Sequence, residues 1–262
     1  MPDDLLIRRG LLAAALLLPL VAHAQGTDPQ AILDASDSIR NPPGSFSVKL
    51  QLSEYRQAKL VNSNVLTVYA RPSEAEGDYR NLVRFVAPAR DAGKLMLRNG
   101  QDLWFYDPAS QASVRISPQQ RLLGQASNGD VMTTRLARDY AATLVGAESL
   151  RDGEGKTRAT QHLQLTARKS DLPYPKIDYW VEQNTHQPVR ARYFTTEGRL
   201  LKTAWFRAVQ PVLGVPRPTQ TVIIDGLDPG WVTVMQMSEQ KLRDVPEAWL
   251  QRDYLPRWKE AP

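Results

Sequence analysis

The stretch "LRNGQDLWFYDP", Leu97 to Pro108, sets a tight-turn pair, Asn99-Gly100, between two runs that are apolar on both faces of any strand they form. With Asn99 and Gly100 at the tip, the register puts Arg98 against Gln101, Leu97 against Asp102, Met96 against Leu103 and Leu95 against Trp104. One side of the ribbon then carries Leu95, Leu97, Trp104 and Tyr106, and the other carries Met96, Leu103 and Phe105. Such a ribbon needs something apolar against each side.

Outward from this hairpin the pattern has period two. Upstream, Phe46, Val48, Leu50 and Leu52 alternate with polar residues, and "VLTVYARP" and "RNLVRFVAP" follow as strands closed by prolines. Downstream, Asp107-Pro108 supplies the next reversal into a strand ending at Ile116. From Gln161 the alternation returns in "HLQLTAR", "KIDYWVEQ", "QPVRARYFTT" and "LLKTAWFRAV", then in "PTQTVIIDG" and "WVTVMQMSEQKL". The spacing between Ser117 and Gly146 predicts short helices or a helical lid, and "PEAWLQRDYLPRW" predicts one helical turn and a loop. A helix is also expected after Asp28, with Asp28 as N-cap and Pro29 at the first position, stopping before Asn41-Pro42-Pro43-Gly44. Ten or eleven strands make the chain mainly β, with one large antiparallel sheet. A sheet that wide curls, and the helical segments can cover its concave face.

Arg8-Arg9, an apolar run to Val21 and Ala22-His23-Ala24 describe a signal peptide over residues 1–24, cleaved after Ala24. The twin arginines also fit a twin-arginine leader, but they are common in general-export signals, which favours that route. No linker composition divides residues 25–262, so they are expected to form one domain in the periplasm. The absence of cysteine excludes disulfides, thiolate metal sites and a cysteine-borne lipid anchor. A net charge of +5 favours anionic surfaces such as lipid head groups, in transient contact, and does not point to nucleic acid.

Catalytic constellations are not apparent. His162 and His186 have no serine or carboxylate at a spacing that proposes a triad, no cluster of ligands suggests a metal, and the glycines are isolated turn residues rather than a phosphate loop. No catalytic residue, metal or cofactor is therefore assigned, and an enzyme is not expected. The candidate site is the hairpin itself. Leu95, Leu97, Trp104, Tyr106, Met96 and Phe105 are candidates to line an apolar cavity, and Arg84, Arg90, Lys94 and Arg98 to form a cationic rim for head groups. Solvated edge charges that discourage sheet-to-sheet association are the plainer reading of those four cations.

The segment "RFVAPARDAGKLMLRNGQDLWFYDPASQASVRISPQQRLLG", residues 84–124, resembles the outer-membrane lipoprotein-sorting family of LolA-like periplasmic carriers. The resemblance lies in Pro88, Gly93-Lys94-Leu95, "DLWFYDPAS", "VRIS" and Gly124, with echoes in "YWVEQNTHQPVRARYFTTEGRLLKT". After Gly124 the chain departs from the family pattern. The resemblance implies an incomplete β-barrel, or half β-barrel, closed by a helical lid. It implies a chaperone that holds the acyl chains of lipoproteins or lipids on the way to the outer membrane, with an RND-type inner-membrane exporter as a partner. The alternative is a non-carrier adaptor or envelope-stress sensor of the same fold that binds a protein.

Overall fold

The structure, a computed structural model, describes residues 28–260; the expected signal peptide lies outside the described residues. Helix α1 (Pro29–Arg40) begins and ends where its caps dictate. The Asp28 carboxylate accepts from the Gln30 N–H at 2.9 Å, and Arg40 complements the negative end of the helix dipole. Ile32, Leu33, Ser36 and Asp37 are buried, one face of the helix.

Two meanders follow. The first runs through β1 (Phe46–Arg56), β2 (Lys59–Ser73), β3 (Asp78–Ala87), β4 (Leu95–Asn99), β5 (Asp102–Asp107) and β6 (Ala112–Arg115). The second runs through β9 (Tyr140–Arg151), β10 (Thr157–Ala167), β11 (Lys176–Glu182), β12 (Pro188–Phe194), β13 (Leu200–Val212), β14 (Val215–Asp225) and β15 (Trp231–Leu242). Antiparallel pairing of β1 with β15, from Phe46 opposite Leu242 to Arg56 opposite Trp231, joins them into one 13-stranded sheet. The order is β6-β5-β4-β3-β2-β1-β15-β14-β13-β12-β11-β10-β9, so β6 and β9 stay unpaired edges and the barrel is incomplete.

Between the meanders runs a strap, residues 116–139. It contains a small hairpin of β7 (Arg121–Leu123) and β8 (Ala126–Ser127), a 3-10 turn at Asn128–Val131 and a one-turn helix α2 (Leu136–Asp139). The expected helices from 117 to 146 are thus corrected. Only two single turns are helical, and "YAATLVGAESLR" is the edge strand β9. Its alanines hide it from a reading by β-propensity, and as an edge it is largely exposed, so it lacks the alternation of a half-buried strand. The strap is fastened by side chains that replace ladder hydrogen bonds. Buried Asn81 donates to Thr133 O at 3.0 Å and accepts from Thr133 N at 2.9 Å, and Asn41 donates to Thr134 O at 2.9 Å. Gly124 sits at φ +55° where a Cβ would collide with Thr233 Oγ1 of β15, the hydroxyl that accepts from Gln125 N at 2.8 Å.

The opening hairpin forms with a corrected register. Arg98 faces Leu103 and Asn99 faces Asp102, so Gly100, at φ +61°, and Gln101 take the turn. Asn99 is held elsewhere: its amide donates to Leu250 O at 3.0 Å. Because Arg98's partner moves by two residues, an even number, the side chains keep the faces expected of them. Met96, Leu103 and Phe105 face the concave core with Phe46, Val48 and Leu50. Leu95, Leu97 and Tyr106, with Trp104 beside them, face a second core on the outer side.

That second core answers what covers the other greasy face. The C-terminal segment folds back as two 3-10 helices, Glu247–Leu250 and Arg252–Arg257, setting Val245, Trp249, Leu250 and Leu255 onto Tyr69, Leu82, Leu95 and Leu97. Trp249 meets Tyr69 and Trp258 edge to face, at 5.3 and 5.2 Å. Arg71 and Arg80 clamp the segment through Val245 O at 2.8 Å and the Glu247 carboxylate. Trp249→Ala is expected to lower unfolding stability in urea by about 3–5 kcal/mol. An apolar probe bound on the concave side should then keep its affinity in the folded variant.

Candidate functional site

The concave face is not filled. Inward residues at alternate positions of β1 (Phe46, Val48, Leu50), β13 (Ala204, Phe206), β14 (Thr221, Ile223) and β15 (Met235, Met237) form most of its floor, joined by Ile177 and Tyr179 of β11. Arg40 of α1 and Val131, Met132 and Leu136 of the strap complete the wall around a cavity of about 220 Å³. Aliphatic, aromatic and thioether groups dominate the floor, and methionine adapts to ligands of irregular shape.

Charged groups stand at particular points of this apolar interior. At one end Asp78, 3 % exposed, accepts from Arg98 at 2.7 Å, from Arg138 at 3.1 Å and from Arg135 N at 2.9 Å. Asp139 lies beside this group; burial and the neighbouring Asp78 charge raise its pKa. Under α1, buried Asp37 pairs with Arg40 at 3.0 Å and accepts from Ala137 N at 2.8 Å, tying the helix to α2; burial nevertheless raises its pKa. The Tyr179 hydroxyl, 3.1 Å from Ser36 Oγ, is pushed up to about 12 by the same desolvation.

A third buried charge is Lys202 on β13, only 4 % exposed. Its Nζ donates to Asp130 Oδ2 and, at 3.1 Å, to Gln125 O, and lies 4.8 and 5.2 Å from the ring centres of Tyr174 and Tyr193. Asp130 also accepts from the Tyr174 hydroxyl at 2.9 Å and from Ser127 N at 2.8 Å. Burial lowers the Lys202 pKa against the attraction of Asp130. This cluster bolts the strap to the sheet. Removing one partner of a buried ion pair leaves the other uncompensated, so Asp130→Ala and Lys202→Met are each expected to cost about 3–5 kcal/mol. The double substitution should cost less than their sum, as measured by urea unfolding in a double-mutant cycle.

The residues singled out from the sequence lie in four places. Arg98 lines the cavity, although it is already paired with Asp78. Met96 and Phe105 belong to the concave core without bordering the cavity; their neighbour Leu103 does border it. Leu95, Leu97, Trp104 and Tyr106 lie under the C-terminal segment. Arg84 binds Glu260 there, 5.8 Å from the Trp258 ring, while Arg90 and Lys94 sit by Asp91 in the loop before β4, at 3.5 and 2.8 Å. The interior charges other than Arg98 were missed. A signal for Lys202 existed, since it shares strand parity with Ala204 and Phe206 and so faces inward with them. His162 is half-buried on the outer face, stacked on Trp180 at 4.2 Å, and does not border the cavity.

Comparisons place this architecture among known folds. Residues 77–257 match a protein family described as "Uncharacterized protein". No curated protein matches the chain. A LolA superfamily protein from Nitrosomonas europaea is 32% identical, with 87% of this chain and 99% of that one aligned at a TM-score of 0.78. A proposed outer membrane lipoprotein-sorting protein domain from Vibrio parahaemolyticus (17% identity, 87% and 98% covered, TM-score 0.74) shares the fold. So does a DUF1329 family protein from Desulfovibrio piger (23% identity, 87% and 100% covered, TM-score 0.73). With a curved, unclosed sheet, a strap over its hollow and a relative matched along nearly its whole length, the chain belongs to the LolA superfamily.

Proposed function

We propose that the protein is a periplasmic carrier that takes the acyl chains of lipoproteins or lipids into the concave cavity and releases them toward the outer membrane. The observation that carries this reading is the unfilled apolar hollow between Phe46, Val48 and Leu50 on one side and Phe206, Ile223, Met235 and Met237 on the other. A folded chain ordinarily closes such space with its own side chains, because each cavity costs stability. Hydrocarbon recovers that loss. Burying twelve methylenes at ~0.8 kcal/mol each is worth on the order of 10 kcal/mol before the cost of association, so useful affinity needs no catalytic group.

The carrier reading includes export by the leader at residues 1–24 and transient contact with anionic membrane surfaces, which a net charge of +5 supports. An RND-type exporter of the inner membrane is the partner it would load from. Among the described residues no helix is long and apolar enough to cross a membrane.

Two measurements test the proposal. Native mass spectrometry of protein taken from the periplasm should show co-purifying lipid or lipoprotein. A lipid-free preparation carrying a bound protein partner would favour the adaptor alternative. In the second, an apolar fluorescent probe should bind the purified protein and be displaced by fatty acid. Ala204→Phe, which turns a ring into the cavity from a residue 2 % exposed, should weaken the probe at least tenfold while circular dichroism stays unchanged. Equal probe affinity in the folded variant would show that the cavity is not where the probe sits.

A further inference from the structure

A second cavity, of about 240 Å³, lies behind the Lys202 cluster, and Lys202 and Tyr174 line both hollows as a shared wall. Several cationic and amide groups border it. Arg121, Arg199 and Lys202 border it, together with Gln125, whose side-chain Nε2 is buried with no acceptor. Among the described residues neither Arg121 nor Arg199 forms an ion pair. The guanidinium of Arg121 lies 4.3 Å from the Trp231 ring centre, and an arginine stacked by its face keeps the donors along its edge. Two carboxylates stand nearby, and Asp225 borders the recess itself. Asp130 holds Lys202, and Asp225 Oδ1 accepts from Leu227 N and Asp228 N at 2.8 Å each. The Arg121 and Arg199 guanidinium groups and the unsatisfied Gln125 Nε2, gathered in a recess beside the Asp130-paired Lys202, describe a receptor for an oxyanion.

We propose that this second cavity binds a small oxyanion, a phosphate or carboxylate, through Arg121, Arg199, Gln125 and Lys202. The anion is either free or the head group of a molecule whose chain occupies the first cavity. The head-group form rests on the carrier reading above; the anion site itself does not. Placed there, the charge would lie one side chain away from the apolar hollow, across Lys202 and Tyr174.

The full chain is titrated calorimetrically with inorganic phosphate, dodecyl phosphate and dodecanol, in parallel with Arg121→Gln and Arg199→Gln. The first substitution also touches Trp231, whereas the second is at an exposed residue in a turn, so a folding defect in one leaves the other as a test. Saturable phosphate binding that each variant weakens at least fivefold, and that added salt weakens further, is the expected result. Dodecyl phosphate binding tighter than both phosphate and dodecanol, and falling to the dodecanol level in the variants, assigns the head-group form. Dodecyl phosphate no tighter than phosphate assigns the free anion. Dodecanol binding with no phosphate binding, and no preference for dodecyl phosphate, overturns the anion site and leaves the carrier reading standing. Phosphate binding without dodecanol or probe binding does the reverse.

Discussion

The pairing of β1 with β15 is the constraint on which the molecule depends. These strands stand near opposite ends of the described chain, yet they exchange ladder hydrogen bonds along nearly their full length. Each meander alone is a sheet whose inward apolar face has nothing to close over it. Joined, they bring Phe46, Val48 and Leu50 beside Met235 and Met237, and the hollow acquires a continuous floor. The same pairing fixes where the barrel fails to close. With β1 and β15 in the middle of the order, β6 and β9 become the two edges, and the strap must cross the opening they leave.

The strap shows how a protein holds a cover over an apolar space without filling it. Leu123, Ala126, Val131 and Met132 of the strap are buried in the core, and polar contacts fasten it as well, among them an amide clasp at Asn81, a close approach at Gly124, and the buried lysine and carboxylate at Lys202 and Asp130. Such contacts have specific geometry and contribute less net stability than apolar packing of equal size, because desolvation offsets much of the attraction. They therefore set the position of the cover while leaving the hollow beneath it apolar and open.

How much of this was legible in the sequence varied with how local the cause was. Helix α1, the inward face of β1 and the two-sided hairpin were readable because capping residues, period-two alternation and Asn-Gly chemistry act within a few residues. The hairpin register shifted because Asn99 is claimed by Leu250 O, some 150 residues away, and no local rule registers that claim. Strand β9 reads as helical by composition, and its place at the sheet edge overrides the propensity of its alanines. The cover over Leu95 and Leu97 was invisible for a similar reason. "PEAWLQRDYLPRW" announces turns and aromatics, but not which face of a remote hairpin they will seal. Lys202 was the nearest miss, since its parity pointed inward and only its charge argued otherwise.

A sheet stitched between its first and last long strands also dictates an order of assembly. The N-terminal meander cannot acquire its neighbour until β15 has been made, about 175 residues after β1, so much of the chain waits, incompletely shielded, over that interval. Contacts between strands so far apart in sequence form slowly, and until they do β1 keeps an unpaired edge.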